Sequence, residues 1–282
     1  MKKAFLVATS GSISKKNLNF AKRKLRDFGF VEDHRQDILS EYLFYAGNYK
    51  RRAQELNEAY KSFAEVIFSV RGGGGAVHLL PFLDYNEIKN SRKILVGSSD
   101  VTILLNTLFQ KTKARCLHGP NIGKTKGFHN KTINCLLNAI NKKNYCVLFK
   151  DKDVLCKGLA KAPIVGGNLE LLGRSLGTSF EIKTSGKIVF LEDYSMKSWR
   201  VFDILWQLKL AGKFDNVKGI ILGYFTKCGK DIYKYLFEFF KDFKGPVVFH
   251  QPIGHEEPNL TIPLGEICTI DTEKGYWRIT FS

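Results

Sequence analysis

The chain has 282 residues, of which 44% are hydrophobic and 25% are charged, the balance of a globular protein with one large domain or two modest ones. No apolar run approaches the roughly 20 residues of a membrane-spanning helix, so we expect no membrane partner. The net charge of +17 can attract nucleic acid or acidic substrates, but the lysines are spread along the chain without an RNA-binding motif or zinc finger, which is typical of a solvated surface and predicts no specific nucleic-acid partner.

The N-terminal half alternates apolar runs with helical patterns. The run "AFLVA" at residues 4–8 is shorter than the apolar part of a secretory signal, about 7–15 residues, and therefore predicts a first strand and a cytoplasmic protein. A helical pattern follows in "NLNFAKRKLRDF", and a second helix is predicted at 49–63, before the buried strands of "EVIFSV" and "KILVG". Strands that alternate with helices predict βαβ units and a mostly parallel sheet.

The stretch "ILVGSSDVTILLNTLF", residues 94–109, changes in its middle from a strand pattern to a helix pattern. Its apolar residues recur at 101, 104, 105, 108 and 109, the spacing of one helix face. Ser98, Ser99 and Asp100 therefore lie at a strand-to-helix turn. Their oxygens suit N-capping of the helix, but a serine at such a turn also resembles the nucleophile elbow of serine hydrolases.

The C-terminal half begins after a polar, lysine-rich stretch. We interpret 146–163 as a linker between an N-terminal domain, 1–145, and a C-terminal domain, 164–282. Beyond the linker, "KIVFLED", "KGIILGY" and "PVVFH" predict strands, "SWRVFDILWQLKLAG" and "DIYKYLFEFFKDF" predict helices, and "EICTIDTEKGYWRITF" predicts a closing hairpin. The 6 cysteines include no C-x-x-C pair and no clustered Cys/His set, which indicates reduced thiols and no metal site.

Three further motifs carry residue types that catalysis uses. "RGGGG" at 71–75 is a turn whose backbone N–H groups could face a phosphate or an oxyanion. "VFLED" puts Glu192 and Asp193 at the carboxyl end of a strand, where ligands bind in parallel sheets, although solvated acids of a turn give the same pattern. His255, in the irregular loop "QPIGHEEPNLTIPLGE", is either a surface histidine or a base. With Ser99, these motifs would supply a nucleophile, an acid and a base.

The order of these motifs resembles the LD-carboxypeptidase family of serine peptidases, which includes murein tetrapeptide carboxypeptidases and microcin C self-immunity peptidases. The resemblance rests on "VATSGSI", "RGGGGAVHLLPFLD", "VGSSD", "HGP", "GGNLELL", "FLED", "KGIILG" and "GHEEPNLTIPLG", and it covers most of the chain. It implies an α/β fold with an N-terminal Rossmann-like parallel-sheet domain, a smaller C-terminal α/β domain and an active site between them.

The resemblance also implies roles for individual residues. Ser99 matches the family's nucleophile, Glu192 its triad acid and His255 its base, with Ser98 as the rival serine. The backbone N–H groups of Asp100 and of one glycine in "RGGGG", for which we choose Gly73, would form the oxyanion hole. Three residues are candidates for substrate binding: Arg71, Trp199 and Arg200.

The sequence departs from the family pattern at two places. The family often has "RGGYG", whereas Gly74 stands here in place of the bulky residue, which predicts a more open wall of the site. After "LED" the family often has an acidic stretch followed by Tyr-Arg, whereas this chain has "YSMKSWR". The second departure bears on the substrate more than on the reaction.

The resemblance implies a cytoplasmic homodimer that uses neither metal nor cofactor. Its reaction would be hydrolysis of the amide between the L-centre of meso-diaminopimelate and the terminal D-Ala of murein tetrapeptides, in peptidoglycan recycling. Three alternatives stay open: a microcin C-type immunity peptidase that cleaves aminoacyl nucleotides, an α/β-hydrolase, and a basic nucleic-acid binder without catalysis. The α/β-hydrolase motif G-x-S-x-G is not matched, because Val101 occupies the position of its last glycine.

Overall fold

The computed structural model describes residues 1–281 of the chain. The chain divides into two compact units, Met1–Phe128 and His129–Ser282. Each unit combines helices with a sheet that contains parallel strands, which confirms the predicted α/β class and the two-domain arrangement. No helix within residues 1–281 is both long and apolar enough to cross a membrane.

The first unit is a parallel sheet with connecting helices. Its strands are β1 (Lys2–Val7), β2 (Phe30–His34), β3 (Val66–Ser69), β4 (Ile94–Gly97) and β5 (Arg115–His118). Its helices are α1 (Lys15–Asp27), α2 (Tyr49–Lys61), α3 (Tyr85–Asn90) and α4 (Thr102–Thr112). These strands lie in the order β5-β4-β3-β1-β2, and every neighbouring pair is parallel, as the N-terminal sequence predicts.

Burial in this unit explains why its strands are continuous apolar runs. Every residue of β3 and of β4 is buried, as in parallel sheets that helices cover on both faces. The following helix α4 is also buried along most of its length. The turn between β4 and α4 therefore joins two core elements, and its backbone is fixed at both ends.

The second unit has a mixed sheet. Its helices are α5 (Asn130–Ile140), α6 (Leu169–Arg174), α7 (Ser198–Leu210) and α8 (Ile232–Phe240). Its strands are β6 (Tyr145–Leu148), β7 (Val154–Cys156), β8 (Leu159–Asn168), β9 (Ile188–Tyr194), β10 (Gly219–Thr226), β11 (Val247–Val248), β12 (Ile262–Pro263), β13 (Ile267–Asp271) and β14 (Tyr276–Thr280). Eight of these strands form the sheet, in the order β6-β14-β13-β8-β9-β10-β11-β7, and β12 lies outside it.

Two kinds of pairing meet in this sheet. Strands β8, β9, β10 and β11 pair in parallel, whereas β13 pairs antiparallel with both β8 and β14. The β13–β14 pair is the hairpin that the sequence predicts at the end of the chain. Glu192 lies near the carboxyl end of the parallel strand β9, where it is fully buried.

The structure differs from the predicted linker at 146–163. The unit boundary falls after Phe128, and the predicted linker residues contribute to β6, β7 and β8. Exposed and buried residues alternate along the first half of β8, because a partly exposed strand alternates polar and apolar side chains. That alternation makes the segment polar in composition, so it resembles a linker. With this boundary, the second unit is the longer one.

Candidate functional site

Ser99 lies at a strained turn in the first unit. It has a φ of 59°, in the left-handed region that non-glycine residues seldom adopt. Ser98 before it is extended, and a 3-10 turn over Ser99–Val101 leads directly into α4. Ser99 is half-buried whereas Ser98 is buried. The sharp turn between a core strand and a core helix is the geometry of a nucleophile elbow.

Asn121 holds Ser98, the serine that precedes Ser99, in place. Its Nδ2 donates to the carbonyl oxygen and to the hydroxyl oxygen of Ser98, each at 3.3 Å. Its Oδ1 accepts from the Ser98 backbone N–H at 3.4 Å. Ser98 is therefore engaged through both its backbone and its side chain. This distinguishes its role from that of Ser99, although the sequence offers both serines as candidates.

The glycine-rich loop 71–75 packs directly against the elbow. A Cβ atom added to Gly72 would lie 2.8 Å from the Ser99 Cβ and 3.0 Å from its Oγ. Only glycine permits this approach of a backbone to the serine hydroxyl. Gly73 has a φ of 126°, so a side chain there would strain the backbone as well. The run of glycines thus brings peptide groups close to the candidate nucleophile.

The Asp100 side chain joins the elbow to the end of that loop. Its Oδ2 accepts the backbone N–H of Ala76 at 2.8 Å. The buried Arg52 guanidinium holds the same loop end, donating to the carbonyl oxygens of Gly75 and Thr9 at 2.9 Å each. Burial raises the pKa of the Asp100 carboxyl, and the Arg52 charge opposes that rise. The Asp100 side chain therefore holds the end of the glycine-rich loop, whereas the N-cap of α4 has no side-chain hydrogen bond of the kind that the sequence suggested.

Phe44 changes the expectation of an open wall at Gly74. Its Cε1 lies 3.6 Å from the position a Gly74 Cβ would occupy and 3.3 Å from that of Gly73. The ring is 52% exposed, so one part packs on the loop and the rest faces solvent. The space that a bulky residue at position 74 would fill is therefore bordered by an aromatic ring from a distant part of the sequence.

Glu192 and His255 form a hydrogen-bonded pair in the second unit. The Nδ1 of His255 lies 2.7 Å from Oε2 of Glu192. The carboxyl group is fully buried, whereas the imidazole remains 21% exposed. With Glu192 ionised, the carboxylate can only accept, so Nδ1 donates and Nε2 is left as the acceptor. The pair therefore has the arrangement of an oriented histidine base.

A glycine makes this short contact possible. Gly254 has a φ of 124°, and a Cβ atom there would lie 2.7 Å from Oε2 of Glu192. A side chain at this position would therefore meet the carboxylate oxygen that His255 uses. The backbone N–H of Gly254 also donates to Oδ1 of Asn259 at 2.9 Å, which fixes the residue before the histidine.

A polar network holds the rest of the His255 loop. The Thr132 hydroxyl donates to Oε2 of Glu257 at 2.5 Å and accepts the backbone N–H of Asn259 at 2.8 Å. The same Glu257 oxygen accepts the backbone N–H of His129 at 3.1 Å, at the start of α5. The loop is therefore tied to the first turn of a helix more than 120 residues earlier in the chain.

Asp193 is a second buried acid beside the pair. Its Oδ2 accepts the backbone N–H of Glu170 at 2.9 Å, and its Oδ1 accepts that of Tyr194 at 2.6 Å. Burial, together with the neighbouring Glu192 charge, raises the pKa of the Asp193 carboxyl to about 7. Its hydrogen bonds go to backbone groups at the start of α6 and at the end of β9.

The three residues predicted for substrate binding are exposed. Arg71 donates to the carbonyl oxygen of Ser12 at 2.8 Å, which ties the glycine-rich loop to the N-terminal loop. Trp199 and Arg200 lie in the first turn of α7 with exposed side chains. Within residues 1–281, no cluster of three or more His, Cys, Asp or Glu residues could hold a metal ion.

Comparison with known proteins identifies the family. Residues 5–119 match the LD-carboxypeptidase N-terminal domain, and residues 161–270 match its C-terminal domain. The chain belongs to the LD-carboxypeptidase family. The chain is therefore a serine-type carboxypeptidase. Ser99 and the glycine-rich loop lie in the first matched range, and Glu192 and His255 lie in the second.

Individual relatives and a solved structure agree with the family assignment. A probable murein peptide carboxypeptidase of Bacillus subtilis is 26% identical, over 95% of this chain and 88% of that protein. The microcin C7 self-immunity protein MccF of Escherichia coli is 31% identical, over 83% of this chain and 79% of that protein. The structure of MccF in complex with glutamyl sulfamoyl guanosine superposes with a TM-score of 0.90 at 26% identity, covering 100% of this chain and 96% of that one.

Within this LD-carboxypeptidase, the sequence did not reveal several residues around the candidate site. Asn121 follows the quoted "HGP" motif and Tyr194 follows "FLED", so a closer inspection of motif ends could have found them. Phe44 and Thr132 carry no local signal, because their relevance depends on which distant segments they contact.

Proposed function

We propose that Ser99, His255 and Glu192 act together as the catalytic triad of this carboxypeptidase. The observation that carries the proposal is the 2.7 Å bond between His255 Nδ1 and the buried Glu192, because it leaves Nε2 as the proton acceptor. The strained turn at Ser99 supports the nucleophile assignment. The proposal requires that Ser99 and His255 meet during the reaction.

In the proposed reaction, Nε2 of His255 removes the Ser99 proton as Oγ attacks the carbonyl carbon of the scissile amide. Glu192 stabilises the imidazolium that forms. The imidazolium then donates its proton to the departing amine of the C-terminal residue, which leaves an acyl-enzyme on Ser99. Water, deprotonated by the same base, hydrolyses this ester and regenerates the serine.

The backbone N–H groups of Asp100 and Gly73 are proposed to stabilise the oxyanion. Asp100 opens the turn after the nucleophile, where backbone N–H groups lack partners within the helix. The carbonyl oxygen of Gly72 accepts from Gly11 N at 3.2 Å. Because a peptide is planar and trans, the N–H of Gly73 points to the opposite side of that peptide.

The proposed substrate is a murein tetrapeptide, cut between the L-centre of meso-diaminopimelate and the terminal D-Ala. The family assignment and the murein peptide carboxypeptidase relative support this class. Such peptides carry several carboxylates, and the net charge of +17 would favour their approach. A cytoplasmic homodimer that acts in peptidoglycan recycling is part of the same proposal, as is the absence of a nucleic-acid or membrane partner.

A second candidate substrate is an aminoacyl nucleotide. The similarity to MccF, whose structure was determined with glutamyl sulfamoyl guanosine, favours it. The same serine, histidine and acid would cleave the acyl bond of either substrate, so the triad does not distinguish between them.

The substrate proposal is tested by incubating the protein with a murein tetrapeptide and, separately, with glutamyl and aspartyl sulfamoyl nucleosides. Mass spectrometry follows the loss of one alanine or the release of the amino acid. We expect loss of D-Ala from the tetrapeptide and no loss from a stem peptide that ends in L-Ala. Cleavage of the nucleosides alone would replace the murein assignment by the immunity-type function.

A further inference from the structure

The imidazole of His255 has a partner on its ring face as well as on its edge. The Tyr194 ring stacks on it with 4.9 Å between the centroids and 28° between the planes. Tyr194 and Glu192 are two residues apart on β9, and alternate residues of a strand point to the same side. One strand face therefore supplies both the carboxylate on the ring edge and the aromatic surface on the ring face.

The two contacts restrict different motions of the imidazole. The bond from Nδ1 to Glu192 restrains one ring atom, but small concerted rotations about Cα–Cβ and Cβ–Cγ can still tilt the ring plane while that bond is kept. A flat ring packed on its face opposes this rotation and so fixes the direction of Nε2. We propose that Tyr194 is a positioning residue that sets the plane of the His255 imidazole. This inference rests on the proposed role of His255 as the base.

The surroundings of Tyr194 favour a fixed ring. The Lys227 ammonium lies 5.4 Å from the centroid of the Tyr194 ring, within the range of a cation–π contact. The backbone N–H of Ser195 donates to the carbonyl oxygen of Thr226 at 2.8 Å, which holds the strand end just beyond Tyr194.

The experiment compares two variants. Tyr194→Phe keeps the flat aromatic ring, whereas Tyr194→Leu keeps an apolar side chain but has no flat ring. We expect Tyr194→Phe to retain activity within about twofold, and Tyr194→Leu to lose roughly tenfold or more in kcat with little change in KM, since misplaced catalytic groups act on the chemical step. Tyr49→Leu is the control, because that tyrosine is also 42% exposed but packs against Phe82 and not against His255; it should stay close to wild type.

Proton NMR of the free protein reports on the His255–Glu192 hydrogen bond in the absence of substrate. The Nδ1 proton of His255, bonded to a carboxylate, should give a strongly downfield resonance, assigned by its absence in His255→Ala. We expect it in wild type and in Tyr194→Phe, and we expect it broadened or lost in Tyr194→Leu.

The outcomes separate this inference from the proposed function. If Tyr194→Leu left both the resonance and kcat unchanged, the positioning role would be overturned. A rise in KM alone would also overturn it and would make Tyr194 a substrate contact. If wild type cleaves none of the substrates tested but the resonance depends on the ring at position 194, the proposed function fails and the positioning role stands.

Discussion

The surroundings of Ser99 and of His255 fix their residues by different means. Ser99 is placed by its backbone: a positive φ between a core strand and a core helix, and a glycine-rich loop in direct contact. His255 is placed mainly by side chains, with Glu192 on its edge, Tyr194 on its face and the Thr132–Glu257 network beneath its loop. Activity should therefore be sensitive to substitutions that add atoms around Ser99, and to substitutions that remove polar groups or aromatic rings around His255.

The largest expected effect is the loss of the nucleophile itself. Ser99→Ala should lower kcat by about 10⁴-fold or more, whereas Ser98→Ala should keep most activity, because Ser98 is engaged with Asn121. The double variant Ser99→Ala/His255→Ala should be hardly slower than either single variant, since triad members act as a unit. Steady-state kinetics with circular dichroism as a folding control measures this. The reverse result for the two serines would exchange their roles.

Gly254→Ala tests whether the second region also depends on a backbone approach. The new methyl group would clash with Oε2 of Glu192, and the φ of 124° at this position is one that alanine rarely adopts. We therefore expect kcat to fall by about 10²-fold. Gly177→Ala is a matched control, because its φ is also positive, at 74°, but a Cβ there meets nothing within 4 Å. Equal losses of activity in both variants would attribute the effect to backbone strain alone.

Asp193 should make the stability of the second region depend on pH. Its pKa is raised by burial from 3.8 to about 7, so the folded protein retains a proton that the unfolded chain has released. Stability is then lost as pH rises from about 4 to about 7. Asp193→Asn should remove this pH dependence, whereas its stability at a single pH also reflects the loss of one of the two acceptors for the Glu170 and Tyr194 N–H groups. Urea unfolding at several pH values measures it; parallel pH profiles for the two proteins would contradict the raised pKa.

Thr132→Val removes the hydroxyl that joins Glu257 to Asn259. The buried Asn259 N–H and the half-buried Glu257 carboxylate would each lose a hydrogen bond, so we expect a loss of about 1–3 kcal/mol in stability and a smaller fall in kcat than for Gly254→Ala. Thr132→Ser keeps the hydroxyl and should recover most of both. If the valine variant matched wild type in denaturant unfolding and in rate, the network would not hold the loop.

Phe44→Ala gives the smallest expected effect and tests the wall at Gly74. The ring is half exposed, so stability should change little, whereas KM should rise a few-fold at nearly constant kcat if the ring contacts bound substrate. Phe63→Ala serves as the control, because that ring is 91% exposed in the loop just after α2. Equal KM values in the two variants would remove Phe44 from the site.

Much of the fold followed from local patterns in the sequence. The alternation of apolar runs and helical spacing predicted the parallel sheet of the first unit, the turn at Ser99 and the final hairpin, because buried strands and helix faces have periodicities that a short window contains. The order of motifs predicted the family, which the comparisons confirm. The triad assignment of Ser99, Glu192 and His255 remains a proposal, although the structure places Glu192 beside His255.

Features that depend on contacts between residues far apart in the sequence became visible only in the tertiary structure. The segment predicted as a linker is polar because its strands are partly exposed, and its pairing with β13 joins residues about 100 positions apart, such as Ala162 and Cys268. Phe44 beside Gly74, Asn121 on Ser98, Tyr194 on His255 and Thr132 beneath the His255 loop depend on the same kind of contact. A sequence records which side chains are present, but the choice of neighbours follows from burial and hydrogen bonding across the whole fold, which no local window contains.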